Sequence, residues 1–206
     1  STLTGTIRDF KQEHPDFEYI IETDPGIVQP DLGADGKPVY AGQAGNPTTN
    51  GKQYFDQWYN DVAGVNQKVM LPITLTKGTG NVWTYDNSDF FPIDDQLWGN
   101  EGNNHNFHFT FELHTKFVYL GGEVFTFKGD DDLFVFVNKK LGIDLGGVHG
   151  AIEGQINLDA KASELGITKG GTYALDFFFA ERHTEQSNFR IDTTIASFVD
   201  CGPVVQ

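Results

Sequence analysis

The chain has 206 residues, a net charge of -15 and a single cysteine, Cys201. That length suits one domain, 1–206, with a sizeable core. The charge excludes nucleic-acid binding through a basic surface, and the lone thiol excludes a disulfide within the chain.

Eighteen phenylalanines and 24 glycines, in alternating runs between turn signals, predict an all-β fold, an antiparallel β-sandwich with one or two short helices. "TGTIRDF" opens as a strand. Residues 22–51 are rich in Gly, Pro, Asn and Asp, and their length predicts a packed, ordered surface loop. Asp31 to Gly36 lacks the alternating oxygen ligands of an EF-hand. "GKQYFDQWYNDVAG" places Tyr54, Phe55, Trp58, Tyr59 and Val62 on one helical face, with Asn50 as N-cap and Gly64 as stop. That aromatic face reads as core packing rather than a ligand platform.

"VMLPITLTKG" and "NVWTYDN" predict strands. In "NFHFTFELHTKFVYL", Phe107, Phe109, Phe111 and Leu113 alternate with His108, Thr110, Glu112 and His114. "GGEVFTFKG" follows. "LFVFVNKKLGIDLGG" begins with a run apolar on both faces, as in a strand covered on both sides. "DAKASELGI" predicts one or two helical turns, and "TYALDFFFAE" and "NFRIDTTIASF" complete the strands. No stretch reaches the length of a membrane span, no signal peptide opens the chain, and its start reads as that of a mature or excised domain.

The chemistry concentrates in "KGDDDLFVFVN". Asp130, Asp131 and Asp132 stand directly before an apolar strand. Adjacent side chains of an extended chain point oppositely, so two of these carboxylates converge on one ion only across a sharp backbone bend. A non-proline cis peptide is one such bend. Hard oxygen ligands favour calcium; on spacing alone a solvated hairpin turn remains the alternative. The loop "AERHTEQSNFR" offers Gln186, Ser187 and Asn188 as further oxygens, or Glu181, Arg182 and His183 as a salt-bridged corner.

Other chemistries are poorly supported. His108 and His114 lie roughly 20 Å apart along a strand, too far to share a metal, and His149 reads as a structural turn residue. There is no G-x-S-x-G elbow and no dinucleotide fingerprint. Asp94, Asp95, Glu112 and Glu181 are formal candidates for a glycosidase pair, but acids are plentiful in so acidic a chain.

Taken in order, "TIRDF", "HPDFEY", "FDQWYNDVAGVN", "FFPIDD", "NFHFTFELHTKFVY", "FTFKGDDDLFVFVNKKLGIDLGGVH", "INLD" and "GTYALDFFFAERHTEQSNFRIDTTI" resemble the fibro-slime family of bacterial secreted and surface proteins. That family resembles in turn the protective-antigen-type β-sandwich lectin domains of bacterial and yeast adhesins. The resemblance implies a Ca²⁺ held by an Asp-Asp pair joined by a cis peptide, with neighbouring hydroxyls of a sugar completing the coordination. Counted back from "VFVN", the pair is Asp130–Asp131; a one-residue shift gives Asp131–Asp132. Asp130, Asp131, Gln186 and Ser187 are then the metal ligands. Asp130, Asp131, Gln186, Asn188 and His183 are the sugar-binding residues.

The implied protein is a calcium-dependent carbohydrate-binding module and not an enzyme. It belongs to a larger adhesin outside the cell or at its surface, binding cell-surface glycans or polysaccharides without inserting in a membrane. The competing expectation is a calcium-stabilised structural or protein-binding module with no sugar.

Overall fold

The computed structural model describes residues 1–42 and 47–199; Cys201 lies outside them. In chain order the elements are β1 (Thr2–Phe10), β2 (Glu22–Thr23), α1 (Lys52–Phe55), β3 (Asn66–Thr74), β4 (Thr76–Lys77) and β5 (Trp83–Asn87). Then come β6 (Phe109–Val118), β7 (Val124–Gly129), β8 (Asp132–Val137), β9 (Lys140–Leu145), β10 (Gly147–Val148) and β11 (Ile152–Asn157). The chain continues through α2 (Leu158–Leu165), β12 (Thr172–Glu181), β13 (Phe189–Thr193) and β14 (Phe198–Val199).

The larger sheet runs β3-β1-β6-β12-β8-β9, with β14 also paired to β6, and the smaller runs β11-β7-β13-β5-β4. A two-stranded ribbon joins β2 to β10. Pairing is antiparallel, as between β12 and β8, where Leu175 faces Val137 and Ala180 faces Asp132. The architecture is the expected antiparallel β-sandwich.

Strand alternation builds the core. Ile7, Phe109, Phe111, Leu133, Val135, Phe177 and Phe179 of the larger sheet pack against Phe125, Phe127, Phe189 and Ile191 of the smaller one. Phe189 is central: its ring stacks on Phe90 at 4.4 Å and meets Phe127 edge-on at 5.2 Å. The opposite face of the larger sheet is also covered. There Phe134, Phe136, Phe178 and Ala180 pack against Ile27, Val28, Phe55, Trp58 and Tyr59. This second cover explains why "LFVFV" is apolar throughout.

The helix expected after Asn50 is much shorter than its apolar spacing suggests. Only Lys52–Phe55 is α-helical, its N-cap is Gly51, and turns carry Trp58 and Tyr59 into the second cluster. Asn50 does not cap: its side-chain amide donates to Pro15 O at 2.6 Å and Asp16 Oδ1 at 3.2 Å. Tertiary bonds outcompete a short helix with a costly nucleus. By contrast, α2 has a true cap, with Asn157 Oδ1 accepting from Ala160 N–H at 3.1 Å.

A charge network pins the long loop to the sheet. Glu112 accepts from Arg8 Nη1 at 2.8 Å and Lys37 Nζ at 2.7 Å, and His114 bridges Glu112 and Asp176. Burial opposes the charge on Glu112, but His114, Arg8 and Lys37 hold its pKa down to about 2. Burial likewise opposes the charge on His114, and its two carboxylate partners raise it to about 9.

Candidate functional site

Three segments meet at one end of the sandwich: the β7–β8 turn, the stretch from β9 through His149, and the β12–β13 loop. Gly129 makes one approach possible. A Cβ there would lie 2.4 Å from the Asn188 carbonyl oxygen, so only glycine lets the turn and the loop close together. Gly147, at φ 107°, plays the matching part against the backbone of Glu22.

The adjacent aspartates go to different partners. Asp132 accepts from Arg182 Nε at 2.5 Å, Arg182 Nη2 at 3.1 Å and Gly147 N–H at 2.7 Å. Both side chains of this ion pair are wholly buried. The remaining guanidinium N–H groups donate to Asp16 O, Thr48 O and Thr48 Oγ1, and the group lies 4.7 Å from the Trp58 ring centre. Every Arg182 donor is therefore committed.

Asp131 organises backbone. Its Oδ1 accepts from His149 N–H at 3.2 Å, and its Oδ2 from Arg182 N–H at 2.6 Å and His183 N–H at 3.1 Å. Burial, then the charge of Asp132, raises its pKa to about 6 against these donors. Asp130 Oδ2 accepts from both Asn188 N–H at 2.6 Å and Asn188 Nδ2 at 2.7 Å. The cis peptide expected here is absent: no described peptide bond is cis. The bend comes instead from Asp131, at φ 51°, a left-handed conformation that aspartate tolerates better than most side chains.

Six buried side-chain N or O atoms among the described residues have no hydrogen-bond partner, and four of them are here: Asp130 Oδ1, Glu181 Oε1 and Oε2, and Ser187 Oγ. Leaving such atoms unsatisfied costs about 1–3 kcal/mol each, more for charged groups. Glu181 stands beside Asp131 and Ser187, and near enough to Asp130 to feel its charge; burial, then Asp131, pushes its pKa well up. Among the described residues no three His, Cys, Asp or Glu side chains are already drawn into a metal cage. The orphaned oxygens are instead two carboxyl groups and a hydroxyl, a hard-oxygen donor set that fits Ca²⁺.

Of the six residues expected at the site, the structure gathers Asp130, Asp131, Ser187 and Asn188. Asn188 orients Asp130 through its amide. His183 contributes its backbone N–H, while its ring lies 3.2 Å from Glu18 Oε2. Gln186 is exposed on the loop, next in the chain to the buried Ser187. His149 is a structural turn residue, its ring bonded to Leu145 O and Gly150 O. The salt-bridged corner of Glu181, Arg182 and His183 does not form, because neighbouring strand residues face opposite ways and Arg182 pairs across the sheet with Asp132.

Sequence reasoning passed over Glu181 as part of the oxygen cluster. The signal was available: Leu175, Phe177, Phe179 and Glu181 share one strand face, so a carboxylate occupies a position in phase with the core.

Residues 84–202, more than half of the chain, match the family model described as PA14 domain. Protein psiD of Dictyostelium discoideum is 41% identical over 221 residues, covering 97% of this chain and 43% of its own length. Protein psiQ of the same organism is 40% identical over 196 residues, covering 86% and 19%. The chain thus spans less than half the length of these curated relatives. A solved PA14 sugar-binding domain from an RTX adhesin aligns over 93% of this chain and 89% of its own, at 9% identity and a TM-score of 0.40.

Proposed function

This chain belongs to the PA14 domain family, and we propose that it is a calcium-dependent carbohydrate-binding module of a secreted or surface adhesin. The observation that carries the proposal is the set of buried, unpartnered oxygens at Asp130 and Ser187. They stand at the turn where the family resemblance puts the ion.

In this reading Asp130 Oδ1 and Ser187 Oγ hold the calcium. Asp131 shapes the site by tying the backbones of His149, Arg182 and His183 together. Calcium bound there offers coordination positions to two neighbouring hydroxyls of a sugar. Gln186, exposed on the same loop, and Asn188 are the side chains placed to hydrogen-bond that sugar. Arg182 has no donor left for an acidic group, and the chain carries a net charge of -15, so the favoured ligands are neutral diols. Affinity per site is modest, because the sugar displaces water of similar bonding strength, and the module works through multiple copies. The resemblance points to a bacterial adhesin, while the psiD and psiQ relatives come from Dictyostelium discoideum.

The depth of the oxygens favours one second reading: Asp130 and Ser187 are 3% and 1% exposed, as suits a structural cation with no sugar. A glycan array run with millimolar calcium and again with chelator separates the two. We expect signal on neutral glycans only with calcium, and its loss in Asp130→Asn. A folded protein that gains thermal stability from calcium but binds no glycan is the structural module. Absence of both responses refutes the cation site.

A further inference from the structure

Resting on the reading of this cluster as a cation site, we infer that Glu181 is a direct ligand of the same divalent ion. In the sequence Glu181 stands out only as a carboxylate in phase with Leu175, Phe177 and Phe179, which does not say what it meets. The structure does. Glu181 is wholly buried, and neither carboxyl oxygen has a hydrogen-bond donor. Its side chain follows Phe177 and Phe179 on the face that turns toward the smaller sheet, where a charged group is costly unless it is paired.

A buried carboxyl group in this setting has three ways to be satisfied. The first is a cation of the protein. Arg182 is the neighbouring one, but it projects to the opposite face and spends its donors on Asp132, Asp16 and Thr48. Among the described residues no Lys, Arg or His forms an ion pair with Glu181. The second is a proton, which neutralises Glu181 and suits Asp131 and Ser187 beside it, but leaves Asp130 Oδ1 without a partner. The third is an ion from solution, which accounts for all four orphaned oxygens at once. With carboxylates at positions 130 and 181 and a hydroxyl at 187, the donor set is oxygen only. It suits calcium and excludes the soft transition metals.

The inference separates Glu181 from a merely buried acid. Glu181→Gln keeps the shape and removes the charge. If Glu181 holds only a proton, the amide is an adequate substitute and calcium affinity is unchanged. If it is a ligand, affinity falls about ten-fold or more, because affinity at oxygen sites follows ligand charge. The experiment is calorimetric titration of wild type and Glu181→Gln with calcium chloride, with circular dichroism in chelator confirming the fold. Wild-type binding with at least ten-fold weakening in the variant supports the inference. Equal binding overturns it and leaves the Asp130 site standing. No binding by wild type overturns both. Should Glu181→Gln fail to fold, the side-chain carboxyl ¹³C resonance of Glu181 in the wild-type protein decides: it moves on adding calcium if the oxygens are ligands and stays if they are not.

Discussion

Asp132→Asn tests whether the acidic run is divided by role, as the structure has it. The change preserves shape and removes one charge. Arg182 remains wholly buried. In the wild type, one Asp132 oxygen accepts from Nε, and the other from Nη2 and Gly147 N–H. Whichever oxygen becomes an amide nitrogen, it then presents a donor to a donor. Removing one partner of a buried ion pair costs about 3–5 kcal/mol. In a protein of this size each kcal/mol is worth about 2–4 °C, so the melting temperature should fall by about 6–20 °C. Asp130→Asn is the control. Its Oδ2 can keep both bonds from Asn188 while the new amide nitrogen replaces the orphaned Oδ1. In chelator it should cost less than about 1 kcal/mol. Urea and thermal unfolding of both variants in chelator give the comparison. Equal costs, or a cost below about 1 kcal/mol for Asp132→Asn, would refute the assignment of Asp132 to the fold and Asp130 to the ion.

Two further outcomes test the scaffold. Phe189→Ala removes the ring shared by both sheets and should cost about 3–5 kcal/mol, read from the urea midpoint; a loss under 1 kcal/mol would mean the two sheets do not share that core. The charge network should make stability depend on pH. His114, raised to about 9, stabilises fully below its unfolded value and loses that contribution as pH rises through 9. Glu112, held to about 2, stabilises above its unfolded value and loses this as pH falls through 2. The imidazole is 37% exposed, so screening leaves roughly 1–2 kcal/mol for His114. The advantage of wild type over His114→Gln should therefore shrink between pH 7 and 10; a constant difference would exclude the network.

Much of the scaffold was legible along the chain. Alternation in "NFHFTFELHTKFVYL" and "TYALDFFFAE" marked the strands, because a period of two is local and survives any arrangement of the sheets. The doubly apolar "LFVFV" marked a strand covered on both faces, and "GDDD" marked the turn where the acids collect. The family motifs pointed to the loop carrying Ser187 and Asn188. Where local preference met tertiary bonding, the reading failed: the aromatic stripe after Asn50 predicted a helix, yet Asp16 and Pro15 hold Asn50 and only one turn forms.

The sequence by itself determined where strands alternate and which segment is acidic, since those properties reside in neighbouring residues. Only the tertiary structure decided what each acid does. Strand pairing sets Ala180 opposite Asp132 and so brings Arg182 to Asp132. The left-handed backbone of Asp131 turns that carboxylate onto three N–H groups of distant loops. The phase of β12 sends Glu181 to one side of the sheet and Arg182 to the other, a choice fixed by which face each sheet buries.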